Sequence, residues 1–343
     1  MQAKDDALKI NTRETPLSEK TAAFLFFPPF PLSTRKEVKF IQLFLNGGKQ
    51  LSSSANAKKV KPESKRRQVR SSFHDLDLKN WKEYPELITD SLWNLGSRSR
   101  SSVHKGDYHG NFVPQIPEQI LKRFTKENDV VLDMFSGMAT TMIECRRLKR
   151  HGIGIELQPE ICRESQERLD EAKNPHGMTT KIVRGDSASP NLPEVLEPHL
   201  KALGRETVDH VMLHPPYWDI IAFTEGEDER DLSSCESLEG FLEMFEQVVQ
   251  NGAKLLEPGR FMTLVIGDKY TQGEWVPLGF ECMEVMRSCG LTLRAINIKD
   301  IQGNEKGKGK NNNLWRYRAL RNGLYVFKHE YVMLFRKDTR TSG

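Results

Sequence analysis

Residues 210–219, HVMLHPPYWD, set a histidine, two prolines and two aromatics directly after an apolar run. Val211-Met212-Leu213 reads as the end of a buried strand. Pro215 and Pro216 stop it, because neither can donate a backbone hydrogen bond. His214, Tyr217 and Trp218 are then left at a strand's carboxyl end, where open α/β sheets bind ligands. A neutral imidazole can accept a hydrogen bond there, and an aromatic ring can stack on a flat ligand. The plainer alternative is a rigid loop over a buried histidine. Trp218 fits a second wall of a pocket or the core, and the core is preferred.

A second group lies upstream. DMFSGMATT, residues 133–141, joins an apolar run to a helical one. Gly137 lets backbone approach a ligand closely. Ser136, Ala139, Thr140 and Thr141 are small and keep the mouth open. The helix start beyond offers unpaired N–H groups, which suit a carboxylate. Glu156 ends the next strand, 23 residues after Asp133, where an acid accepts hydrogen bonds from ribose hydroxyls. Asp186, in RGDS, ends the third strand and could meet an adenine amino group. The turn is not G-x-G-x-x-G and has no phosphate-loop lysine. Nicotinamide dinucleotides and nucleoside triphosphates are therefore disfavoured.

These residues need a scaffold. Strand and helix patterns alternate from residue 129: VVLDMFS, ATTMIECRRLKR, GIGIEL, PEICRESQERLDEAK, TKIVRGD and VDHVML. LEGFLEMFEQVVQNGAKLL follows as a helix closed by Pro258-Gly259, then strand RFMTLVIGD and helix VPLGFECMEVMRSCG. LTLRAINIK and EYVMLFRK are the last strands. The expected fold class is α/β, a doubly wound, seven-stranded, mostly parallel Rossmann-like sheet. The final two strands have no helical pattern between them and should pair antiparallel. Upstream, YPELITDSLWNL predicts a short helix and SRSRSSVHKGDYHGNF a loop.

The 343 residues carry a net charge of +4, unevenly spread. Residues 58–70 hold seven Lys/Arg against one Glu, and residues 299–340 hold eleven against four acids. Such patches favour a polyanion or form solvated tails. Residues 1–72 lack periodicity and are expected to be disordered or loosely attached; residues 73–343 are expected to form the folded domain, with 300–328 as a basic insertion and candidate recognition element for a polyanion. Five cysteines show no C-x-x-C pair and no zinc spacing, so no metal and a reduced, cytoplasmic setting are expected. No apolar stretch reaches the length of a membrane span.

DMFSGMATT followed by HPPY resembles the S-adenosylmethionine-dependent amino-methyltransferases of DNA, the N4-cytosine/N6-adenine family. HEYVMLFRK, residues 329–337, resembles the family's last strand, and HGNFVPQIP, residues 109–117, the segment before its cofactor motif. The similarity covers about residues 90–337. Three residues depart from the pattern: Met134 replaces Pro, Ala139 replaces Gly, and His214 replaces Asp, Asn or Ser.

The resemblance implies that Phe112, Asp133, Phe135, Ser136, Gly137, Thr140, Glu156 and Asp186 hold S-adenosylmethionine. It implies that His214, Pro215, Pro216 and Tyr217 are catalytic, with the Pro215 carbonyl and the His214 side chain taking the hydrogens of a base amine. Tyr217 would stack on the flipped base. Double-stranded DNA is the expected partner; a restriction endonuclease partner or a homodimer is left open. Basic residues 58–70, with Lys306, Lys308, Lys310, Trp315, Arg316, Arg318 and Arg321, would contact DNA. FTEGEDERDLSS, residues 223–234, is either a lid over the base or a solvated loop. Adenine N6 is slightly favoured over cytosine N4 on frequency. The alternatives are amino-methylation of RNA or of a protein glutamine, and a catalytically silent accessory subunit that binds nucleic acid.

Overall fold

The apolar runs assemble into one sheet. In the computed structural model, which describes residues 73–101, 103–301 and 312–339, eight strands share it. They are β1 (Leu92–Trp93), β2 (Val130–Asp133), β3 (His151–Glu156), β4 (Thr180–Arg184), β5 (Val208–Leu213), β6 (Leu256–Ile266), β9 (Leu291–Asp300) and β10 (His329–Lys337). Their order is β1-β9-β10-β6-β5-β2-β3-β4. β10 runs antiparallel between β6 and β9, and every other pairing in this sheet is parallel. The seven expected strands are all present, and two-residue β1 adds an edge. Lys269–Thr271 (β7) and Glu274–Val276 (β8) form a separate hairpin.

Both faces of the sheet are covered, which is why its strands read as nearly unbroken apolar runs. Alternate side chains divide between two cores. Leu132, Val211, Leu213, Leu264 and Met333 face one. Val131, Met212, Val265 and Val332 face the other. The helices are α1 (Gln115–Phe124), α2 (Thr140–Arg147), α3 (Pro159–Glu171), α4 (Leu192–Ala202), α5 (Leu238–Leu255), α6 (Leu278–Ser288) and α7 (Asn312–Asn322). Pro159 starts α3, where its missing N–H costs nothing. Ser237 caps α5 by accepting the Gly240 N–H at 3.1 Å.

Local pattern misled in four places. Residues 84–95 are turn and the short strand β1 rather than helix; Trp93 is buried and its ring N–H donates to the Asp90 carbonyl at 3.0 Å. α1 lies where no helix was expected, anchored by Ile116, Ile120 and Leu121. Pro258-Gly259 lies inside β6, not beyond the helix, at a register shift against β5. A helix, α7, does stand between β9 and β10. Its exposed, weakly amphipathic sequence leaves no apolar stripe to read. The basic stretch 58–70 and the rest of 1–72, with Lys306, Lys308, Lys310 and the Trp315 side chain, lie outside the described residues.

Candidate active site

β2, β3, β4 and β5 end on one side, beside the point where strand order reverses around β2. A cavity of about 310 Å³ opens there. Its walls bring together Phe112, Phe135, Ser136, Gly137, Thr140, Glu156, Asp186, His214, Pro215, Pro216 and Tyr217. These come from both motifs, more than seventy residues apart in the chain.

The glycine turn is tied down by backbone. The Met134 N–H donates to the Met212 carbonyl at 3.0 Å, and Ser136 N–H to the Ile155 carbonyl at 2.9 Å. A proline at 134 could not make the first bond. Gly137 has φ of 48° and donates its N–H to Glu156 Oε2 at 3.1 Å. Ala139 also has a positive φ, 63°, where the family pattern has glycine. Gly154 leaves space for Ser136: an added Cβ would lie 2.4 Å from the Ser136 hydroxyl.

Glu156 also accepts the Gln158 N–H at 3.0 Å. Burial pushes its pKa up to about 7, against those two hydrogen bonds. Ser136 Oγ and Asn111 Nδ2, at the same walls, are buried without a hydrogen-bond partner. Unpaired polar groups beside an acid fit a polar ligand better than an empty cleft. Asp186 lines the cavity, with one carboxylate oxygen accepting the Ala188 N–H at 2.8 Å.

Asp133 departs from the expectation. It does not line the cavity; it is 1% exposed beneath the turn and accepts the Phe135 N–H at 3.0 Å. Burial raises its pKa to about 6. Its place is to shape the turn. Trp218 is buried in the core, donating its ring N–H to the Cys235 carbonyl at 2.7 Å. Arg316, Arg318 and Arg321 are exposed on α7, and none lines the cavity.

The second motif is packed by rings. Phe112 lies 4.9 Å from His214, tilted, and Tyr217 meets His214 edge-on at 5.7 Å. Gly267 makes room for Tyr217, since a Cβ there would come within 2.8 Å of the phenol ring. Burial lowers the His214 pKa to about 4, with Glu330 opposing and Lys299 reinforcing the shift. The imidazole is therefore neutral at ordinary pH. The acidic loop reaches the cavity through Phe223, Thr224, Arg230, Asp231 and Leu232. Its Phe223 ring sits 6.0 Å from Tyr108 across the mouth.

Two residues of the wall went unnoticed in the sequence. Glu330 accepts the Tyr217 hydroxyl at 2.9 Å and the Lys299 ammonium at 2.7 Å. Both are buried and both line the cavity. The signal was faint: Glu330 directly precedes the apolar run Tyr331–Phe335, and Lys299 stands near the end of the strand expected to pair with it. Among the described residues no cluster of His, Cys, Asp or Glu could hold a metal ion, and no helix is long and apolar enough to cross a membrane.

The sequence model of the N6/N4 family, described as DNA methylase, matches residues 4–167. The type II methyltransferase M.MjaII of Methanocaldococcus jannaschii is 30% identical over 28% of this chain and 19% of its own length. The type II methyltransferase M2.DpnII of Streptococcus pneumoniae is 41% identical over 29% of this chain and 34% of its own. The chain thus matches about a third or less of each of these two relatives. A solved methyltransferase from Pyrococcus furiosus covers 68% of this chain and 88% of its own, at 15% identity and a TM-score of 0.39.

Proposed function

We propose that this chain, whose residues 4–167 match the sequence model of the N6/N4 DNA methylase family, methylates an exocyclic amino group of a DNA base extruded into this cavity, with S-adenosylmethionine as the methyl donor. The observation that carries the proposal is that one cavity is walled by both the glycine turn with Glu156 and the His214–Tyr217 motif.

Glu156 and Asp186 hold the nucleoside end of the cofactor, and Ser136, Gly137 and Asn111 its polar tail. Phe112 and Phe135 close on its apolar parts. Bound there, S-adenosylmethionine supplies an activated methyl group. The chain's own work is on the amine. An exocyclic amine is a poor nucleophile because its lone pair is delocalised into the ring. His214 and the Pro215 carbonyl accept hydrogen bonds from its two N–H groups, which frees the lone pair. Tyr217 stacks on the extruded base. The lid loop excludes water while the groups are held in line. A histidine serves here only when neutral, and burial keeps it so.

Adenine N6 is the preferred target and cytosine N4 the second. The test is mass spectrometry of nucleosides from double-stranded DNA treated with the protein and methyl-labelled cofactor. Labelled N6-methyladenine or N4-methylcytosine supports the proposal. Label found only in RNA or in protein glutamine overturns it, as does cofactor binding with no transfer.

A further inference from the structure

Tyr217 has one hydroxyl proton and two neighbours able to take it. Glu330 Oε2 lies 2.9 Å from the hydroxyl oxygen, and His214 Nε2 lies 3.4 Å away. The carboxylate is both nearer and the stronger acceptor, so the proton points at Glu330. Towards His214 the phenol oxygen then presents only lone pairs. A bare Nε2 would set lone pair against lone pair, whereas a protonated Nε2 donates. A neutral imidazole carries a single ring proton, so Nδ1 is left bare.

The acid at the far end is held in its ionised form. Lys299 Nζ is 2.7 Å from Glu330 Oε1, and both residues are buried. Burial alone would raise the Glu330 pKa, but the Lys299 charge and the hydrogen bonds from Lys299 and Tyr217 hold it below the ordinary value. The two stand directly opposite on β10 and β9, so the sheet register builds the pair. Glu330 and Lys299 are also the charged groups that act on His214.

We propose that Glu330 is a positioning residue: acting through Tyr217, it holds His214 in the Nε2–H tautomer, so that Nδ1 is the atom that accepts the hydrogen of the target amine. The last step rests on the proposed role of His214; the tautomer itself does not. In this account Lys299 anchors Glu330, and Tyr217 has two tasks, stacking with its ring and relaying orientation through its hydroxyl.

The experiment is nitrogen-15 NMR of the full chain labelled at histidine, with the His214 signals identified by their loss in His214→Gln. The wild type is expected to show a protonated, pyrrole-type Nε2 and a bare, pyridine-type Nδ1. Tyr217→Phe and Glu330→Gln are expected to mix or reverse that pattern. Single-turnover methylation should fall about 10–100-fold in each, the scale for losing a partner that orients a functional histidine. Cofactor affinity should be unchanged, and the double variant should be no slower than the worse single one. Tyr217→Phe leaves the Lys299–Glu330 pair intact, so it decides the matter even if Glu330→Gln does not fold. A wild type protonated at Nδ1 overturns the inference, as does an Nε2–H pattern that survives in Tyr217→Phe. The tautomer is read without turnover. The expected NMR pattern with no methyl transfer by any form would overturn the proposed function and not the hydrogen-bond chain.

Discussion

Glu330 and Lys299 face each other across the β9–β10 ladder with their charged ends 2.7 Å apart, and both reach the wall that carries His214. A buried ion pair is weak evidence for stability, because desolvation offsets most of its attraction. Its position is more informative. The antiparallel strand inserted between β6 and β9 delivers a carboxylate to the Tyr217 hydroxyl, which no residue of HPPY could do for itself.

Glu156 should make the cofactor-free protein less stable as pH rises. Its carboxyl titrates at about 7 when folded, against an ordinary 4.5. Between those values the folded state keeps a proton that the unfolded chain has released, so stability falls from about pH 4.5 to 7. Glu156→Gln removes that loss. Urea denaturation should show the variant more stable at pH 8 by up to roughly 3 kcal/mol, with the gain shrinking toward pH 5. Calorimetry should show weaker cofactor binding in the same variant. An equal stability difference at both pH values would contradict the account.

Ala139 occupies a left-handed conformation with φ of 63°, which costs a side-chain-bearing residue about 1–2 kcal/mol. Ala139→Gly relieves the strain but loosens the unfolded chain. A net stabilisation of about 0.5–1 kcal/mol is expected, with cofactor affinity retained. A lower melting temperature in Ala139→Gly would show that packing of the Ala139 methyl outweighs the strain.

Arg260 belongs to the opposite end of the sheet. Its Nη2 donates to Asp209 Oδ1 at 2.6 Å and to Asp129 Oδ1 at 3.2 Å, and both acids are buried. Arg260→Met would strand two carboxylates there, at a cost of about 3 kcal/mol or more. Arg205, also paired with Asp209, limits the damage. Denaturant titration should show the loss, while the folded variant binds cofactor as the wild type does. Impaired cofactor binding would mean that this end is not independent of the cavity.

Much of this was readable in the sequence, and the unread parts share a cause. The strands, their near-parallel sheet and the meeting of DMFSGMATT with HPPY follow from local apolar runs and turn chemistry. Asp133 misled because a strand-end acid is equally suited to bind a ligand or to hold its own turn; only its 1% exposure distinguishes the two. Glu330 and Lys299 were missed because cross-strand register between β9 and β10 spans a long insertion. β1 was missed because two residues carry no periodicity; its pairing partner, β9, lies about two hundred residues away.

DNA binding should depend on Arg316, Arg318 and Arg321, which are exposed on α7. Replacing all three by alanine should weaken binding and lower the slope of log affinity against log salt by about 1 per residue. Methyl transfer at saturating DNA should persist, because none of the three lines the cavity. An unchanged salt slope would remove α7 from the interface.

The most direct test of the account is single-turnover methylation at saturating cofactor and DNA, by wild type, His214→Ala and His214→Asn, between about pH 5.5 and 8. With its pKa lowered to about 4 by burial, His214 stays neutral across that range. The wild-type rate should show no fall near the unperturbed histidine value of roughly 6.5. His214→Ala should lose turnover while binding cofactor normally, and His214→Asn, which restores an acceptor, should keep part of it. A wild-type rate in His214→Ala would contradict the claim that this side chain takes the amine hydrogen.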